Sequence, residues 1–396
     1  MNFTYEKDYA SRRDDGRTVE SLASWTAFLR RTKPLLSTPE SLTADSFFAW
    51  KAKVKETLGA LLALPEVEGQ PAPVCLSSER RDGYRTEKWE FYPYETAAVP
   101  VLMQIPDGAT AETPAPLVFC FPGSIHNKEF VAGEPLLPKP AARFEKFPER
   151  NRMGQIMAKN GMVSVTFDPI SIGEAAFWAE PGDHGVRCRN EMVYGLLEYG
   201  WNFIGLSVFQ ALTFLRFCKT LPFVDASRIA LSGHSLGTET ALPLALICDD
   251  VRALVFNDFL CDQRKRYVSI TETDANFTGK GSELVHILPG KFRYFTYPDL
   301  CASLAPTYLA LNEGGAEEDL EKVRRAYDAA GAKDRLLISY YPRYADPASR
   351  PHKGEPVPDH GLSPETYFEY TATDAPDHSF RGEPSLALLK RCFALE

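Results

Sequence analysis

The sequence predicts a doubly wound α/β fold with a mostly parallel sheet, and three observations carry that reading. Short runs rich in Val, Ile, Leu and Phe recur along the chain. In the second half they are nearly continuous in apolar residues, as strands buried on both faces require. Segments with apolar residues three and four apart separate them, giving the alternation of strand and helix from which such sheets are built.

In chain order, residues 1–84 are expected to form an N-terminal helical extension. "SFFAWKAKVKETLGALL" places Phe47, Trp50, Val54, Leu58, Leu61 and Leu62 on one stripe, with Thr43 or Asp45 able to cap its start. From residue 85 eight strands are expected: 88–94, 99–106, 116–123, 162–169, 228–235, 253–259, 306–314 and 335–342. Helical patterns fall at 152–161, 194–220, 240–250 and 320–332, and Pro384 suits the first turn of a terminal helix. Residues 85–396 thus read as one domain. It carries insertions at about 170–195, 260–305 and 345–377, long enough to serve as lids over strand ends. Their aromatic residues Phe177, Trp178, Tyr267, Phe292, Tyr294 and Phe295 could stack on a ligand or pack as a satellite core.

Composition narrows the function. The 396 residues carry 44 Lys plus Arg against 53 Asp plus Glu, a formal charge of −9, which disfavours nucleic acid as a partner. Eight cysteines lie far apart without a C-x-x-C pair, several inside apolar runs, so reduced buried thiols are expected. The first residues, "MNFTYEKDYASRRDD", lack the apolar core of a secretory signal, and the apolar stretch 194–218 is interrupted by Glu198, Asn202, Gln210 and Arg216. A cytoplasmic protein with no membrane partner is the expectation, and the sequence leaves its oligomeric state open. With no H-E-x-x-H, no P-loop and no G-x-G-x-x-G after a strand, neither metal nor cofactor is expected.

The chemistry points to "RIALSGHSLGTE", residues 228–239. A bare G-x-S-x-G arises by chance in roughly one chain in seven to ten of this length, so its setting decides. Here an apolar strand runs into Gly233 and a helix pattern follows at once, the strand–turn–helix of a nucleophile elbow. Ser235 would sit exposed above the sheet, with small neighbours Gly233 and Gly237 allowing the turn. The amide of Leu236 would face a developing oxyanion at a helix N-terminus.

The stretch "LPFVDASRIALSGHSLGTETALPLAL" resembles the elbow of bacterial α/β-hydrolase-fold esterases, the acetyl xylan esterase and dienelactone hydrolase-like group. "VFCFPGSIHNKEF", "FDPISIGEA", "PDLCASLAPTYLALNEGG" and "EKVRRAYDAAGA" resemble the same group in order across residues 85–396. The resemblance implies the α/β-hydrolase fold and hydrolysis of a small-molecule or carbohydrate ester. Acetate would be the leading acyl group, and serine stands where dienelactone hydrolases carry cysteine. A peptidase of the same fold and a non-catalytic binding protein stay as alternatives.

The remaining parts follow from the order Ser, acid, His. His378, in "DAPDHSFRGEP", is the expected base, with His360 and His352 as alternatives in a Pro-rich loop. Glu317 is the expected acid by its distance from "EKVRRAY" in relatives, with Glu318, Asp319, Asp258 and Asp262 as alternatives. A second oxyanion donor is expected from the amide of Ser124 or Ile125 in "FPGSIHNKEF". His126 is expected to be an ordinary loop histidine, and Asp168 to tie down its own turn.

Overall fold

The computed structural model describes residues 13–67, 70–124, 126–135, 147–168, 170–176, 186–270 and 284–395. Its centre is a nine-stranded sheet: β1 (Val74–Arg80), β2 (Tyr84–Phe91), β3 (Val99–Pro106), β4 (Ala115–Phe121), β5 (Val163–Phe167), β6 (Val224–His234), β7 (Val251–Asn257), β8 (Tyr308–Leu311) and β9 (Leu336–Ile338). The spatial order is β1-β2-β3-β5-β4-β6-β7-β8-β9. β1 to β3 are antiparallel, β3 meets β5 antiparallel, and β5 through β9 run parallel.

Among the described residues the expected count of eight strands is therefore corrected to nine. The extra strand, Val74–Arg80, lies within the stretch expected to be helical. It is exposed along its whole length and pairs with β2 alone, so no burial pattern marks it in the sequence. The helical stretch expected over 194–220 is also corrected. It is two helices, Val186–Tyr199 and Phe203–Cys218, broken where Gly200 takes φ +92° and the Asn202 side chain caps the second helix through the Gly205 amide.

Both faces of the sheet are covered, as alternation along β4 shows. Leu117, Phe119 and Phe121 enter a core shared with helices Ala44–Leu62, Phe203–Cys218, Leu236–Ile247 and Tyr297–Ser303. Val118 and Cys120 face the other side, against Met153, Met157, Leu388, Leu389 and Phe393. The helix Ala44–Leu62 buries Phe47, Trp50, Val54, Leu58 and Leu62, and Thr43 closes its capping box with Ser46.

The N-terminal segment is stitched to the rest by backbone. Leu35 and Leu36 donate to the carbonyls of Arg293 and Tyr294 at 2.9 and 2.7 Å. At the other end of the helix, Asn202 donates to the carbonyls of Leu61 and Leu62. The seven described cysteines are free, and no described helix is long and apolar enough to cross a membrane.

Candidate active site

Four parallel strands end at one edge of the sheet, and each delivers part of the site. β6 ends at His234, and the helix Leu236–Ile247 starts two residues later. Ser235 makes that turn with φ 52° and ψ −124°, a strained conformation for a residue with a side chain. The flanking glycines are sterically required. A Cβ on Gly233 would lie 2.7 Å from the Gly237 carbonyl oxygen, and one on Gly237 only 2.1 Å from that of Phe121. Leu236 opens the helix, so its amide belongs to the first turn, where N–H groups lack intrahelical partners.

β8 ends at Leu311 and supplies Glu313 two residues on. This carboxylate is fully buried and grips the histidine loop at two points: Oε2 lies 2.6 Å from His378 Nδ1, and Oε1 accepts the Ser379 amide at 3.2 Å. His378 is opposed by burial, which disfavours its charged form. The Glu313 charge and hydrogen bond, with the charge of Asp258, outweigh that and raise its pKa to about 9. With Nδ1 committed to Glu313, Nε2 is the nitrogen left for chemistry. His378 and Ser235 line the same cavity, of about 870 Å³.

β7 ends at Asn257 and adds two things. Asn257 donates to the Ser379 carbonyl at 3.1 Å and accepts the Arg381 amide at 2.7 Å, fixing the loop around His378. Asp258, also lining the cavity, is pushed up to about 6, chiefly by burial. Asp258, Glu313 and His378 each bring an atom within 4.8 Å of the others, a spacing a cation could bridge. Glu313, however, already serves His378 and Ser379. His234 and His126 are both held neutral by burial: His234 lies well below its usual value and His126 is lowered to about 4. Their rings continue from His378 in a row, with centroids 4.7 and 5.8 Å apart.

β4 leads into the expected oxyanion loop. A Cβ on Gly123 would stand 3.4 Å from that of Ser235, so this loop runs beside Ser235. The Ser124 carbonyl accepts Arg189 Nη1 at 2.7 Å, while Ile125 lies outside the described residues. His126 is buried and stacks on Phe130, rather than being an open loop residue. Asp168 does more than hold its own turn. It accepts the Lys128 amide at 2.7 Å, the Lys128 ammonium at 3.0 Å and the Glu174 amide at 2.8 Å, clamping two loops together.

The expected acid needs correction. Glu317 opens the helix Glu317–Ala329 and pairs with Arg324 at 2.5 Å. Glu318 pairs with Lys265, Asp319 accepts the Asp262 amide and pairs with Lys322, and Asp262 caps the helix Gln263–Ser269. Glu313, unweighed in the sequence, is the carboxylate at His378. It was hidden because "LNEGG" reads as the end of a strand. The available signal was Gly314-Gly315, whose φ values of +68° and +155° mark the turn that ends the strand. The alternatives to His378 lie elsewhere: His352 stacks on Tyr370 and pairs with Glu355, and His360 is exposed. Of the lid aromatics, Tyr267 and Phe292 line the cavity, Phe295 is core, Tyr294 packs half-buried against it, and Phe177 and Trp178 lie outside the described residues.

An elbow serine over a parallel sheet, with a buried acid from a later strand end paired to a histidine in the loop before the terminal helix, defines an esterase-like α/β-hydrolase. The model of the Abhydrolase family matches residues 4–391, and the chain belongs to that family. Among solved structures, a Bacteroides fragilis protein named as a candidate acetyl xylan esterase is 33% identical. The match covers 96% of this chain and 97% of that one, with a TM-score of 0.87. A glucuronoyl esterase from Solibacter usitatus shares the fold at 14% identity and TM-score 0.53, over 78% of this chain and 93% of that one. The methylesterase BT1017 does so at 15% and 0.50, over 89% and 74%. Comparison with curated proteins gives no significant match.

Proposed function

We propose that the chain is a serine carboxylic-ester hydrolase acting on short acyl esters, with acetyl groups on carbohydrates as the preferred class. The observation that carries this reading is the joint placement in one cavity of Ser235, at a strained elbow, and His378, held by buried Glu313. Ser235 Oγ attacks the ester carbonyl while His378 Nε2 takes its proton, and Glu313 orients the imidazole and stabilises the imidazolium. The oxyanion is held by the amides of Leu236 and of Ser124 or Ile125. Collapse of the tetrahedral intermediate breaks the bond to the alcohol, which leaves with the proton from His378. Water, activated by the same histidine, then releases the acid and restores Ser235. The acetyl-carbohydrate preference is supported by the 33% identical relative and its name.

A fluorophosphonate probe tests the nucleophile. Phosphorus should bond to Ser235 Oγ with loss of fluoride, mass spectrometry should place the adduct on the Ser235 peptide, and Ser235→Ala should abolish it. Labelling elsewhere, or undiminished labelling of the variant, contradicts the assignment.

A further inference from the structure

Besides histidines, three basic side chains line the cavity that holds Ser235: Arg266, Lys291 and Arg293. Lys291 is buried and donates to Gln263 Oε1, with the Glu239 charge nearby. Arg293 is exposed to water. Arg266 differs from both. It stands in the helix Gln263–Ser269 and is half-buried, its guanidinium lying over the rings of Phe259 and Phe368 at 5.4 and 5.6 Å from their centroids. Those two rings meet edge to face, and both line the cavity. Among the described residues Arg266 forms no ion pair and no side-chain hydrogen bond, and its Nε is buried without an acceptor. The acids of the cavity wall are engaged elsewhere. Asp258 has an atom within 4.8 Å of Glu313 and His378, and Glu239 pairs with His286.

A cation partly withdrawn from water without a counter-ion is costly, and stacking on aromatic rings offsets only part of that cost. Stacking engages the faces of a guanidinium and leaves its N–H groups, which lie in the plane, for another partner. Those donors match an acceptor with two oxygens in one plane, and a carboxylate brings that geometry together with the missing negative charge. A neutral hydroxyl supplies an acceptor without the charge, and a cation is repelled. Asp258 and Glu239 on the same wall disfavour a dianion such as phosphate. The place of Arg266 adds the side of the substrate. It packs on Phe259, whose chain neighbour Asp258 reaches His378, so it belongs to the histidine side of the cavity. In the proposed reaction the alcohol leaves with the proton from His378, which puts the alcohol on that side as well.

We propose that Arg266 binds a carboxylate carried by the alcohol portion of the substrate ester, held for that purpose between Phe259 and Phe368. This rests on the esterase reading of Ser235 and adds a negative charge to the alcohol that is released.

Two measurements on the full chain test it. The first compares kcat/KM for 4-acetoxybenzoate and for methyl 4-acetoxybenzoate, which lacks the charge, by release of the phenol. Arg266→Gln should lose at least tenfold more on the anion than on its methyl ester, mainly through KM. Comparing variant with parent cancels the different reactivities of the two esters, and a disturbed fold would lower both alike. An equal loss on both, or no loss on either, overturns the proposal. So does a charge-selective loss confined to mono-p-nitrophenyl succinate against p-nitrophenyl butyrate, where the carboxylate sits on the acyl part. Arg266→Met serves as the second variant should the first not fold. The second measurement is saturation-transfer NMR with 4-hydroxybenzoate, which needs no turnover. Binding should be seen with the unaltered chain, weaken as salt is raised, and be lost in Arg266→Gln. 4-Hydroxybenzoate failing to bind overturns the proposal even if p-nitrophenyl acetate is turned over. If it binds through Arg266 but turnover does not depend on Ser235, the esterase reading fails and the carboxylate site stands.

Discussion

His378 faces two carboxylates, and they should play different parts. Glu313 touches Nδ1, while Asp258 contributes only its charge. Asp258→Asn removes a negative charge that helps hold the imidazolium, so the His378 pKa should fall below its present value of about 9. A general base must be neutral to act, so the acid limb of the kcat/KM profile should shift to lower pH with kcat largely kept. An unmoved limb would mean that Asp258 is not felt at His378. The sign for stability is the reverse. The pKa is raised from 6.5 to about 9, so the stabilisation is fully present below 6.5 and is lost as pH rises through 9. At this scale Ser235 and His378 were legible because each carries a local signature: glycines enforced by steric contact, and a late histidine before a terminal helix. Glu313 was not, because what selects it over Glu317 is where the strand ends, a difference of a few residues that apolar patterning does not resolve.

The elements meet at the loops beyond the strand ends, and a buried ionic cluster fixes two of them. Lys128 is wholly buried among Asp168, Glu129 and Glu174, at 3.0, 2.6 and 2.6 Å. Lys128→Met would strand these carboxylates and should cost about 3–5 kcal/mol of unfolding free energy, measured in urea. The loop carrying Gly123 leads straight into this cluster, so kcat should fall as well. A variant as stable as the parent would show that the cluster is not a clamp. The strands and helices around it were readable from periodicity. The edge strand β1 and the break at Gly200 were not, since an exposed strand has no buried face to alternate and a helix break inside a long apolar run leaves its hydrophobic pattern intact.

Across the whole molecule, the N-terminal segment contributes to the cavity as well as to the core. Trp25, on the helix Ser21–Arg31, lines the pocket beside residues more than two hundred positions later. The segment is anchored by buried Asp299, which accepts the amide and hydroxyl of Thr38 at 2.7 and 2.8 Å and those of Thr296 at 2.9 and 2.8 Å. Asp299→Ala leaves these four donors without their acceptor and should destabilise the protein by about 3 kcal/mol or more. Limited proteolysis should then cut first near residues 33–40. Unchanged resistance would mean that the segment is held by its apolar face alone. The covering of the sheet by this segment could be anticipated from the amphipathic helix. The meeting of Trp25, Glu239 and Lys291 could not, because long-range packing leaves no periodic trace in the chain.

The central claim is that Ser235, His378 and Glu313 act as one unit, and side-by-side kinetics on p-nitrophenyl acetate test it most directly. Ser235→Ala should abolish turnover. Glu313→Gln should lower kcat by about 10³–10⁴, as expected when the histidine loses the carboxylate that sets its tautomer. Glu317→Gln, which breaks only a surface pair with Arg324, should stay within about twofold of the parent. If instead Glu317→Gln is crippled and Glu313→Gln is not, or if Ser235→Ala keeps its activity, the assignment of this site is wrong.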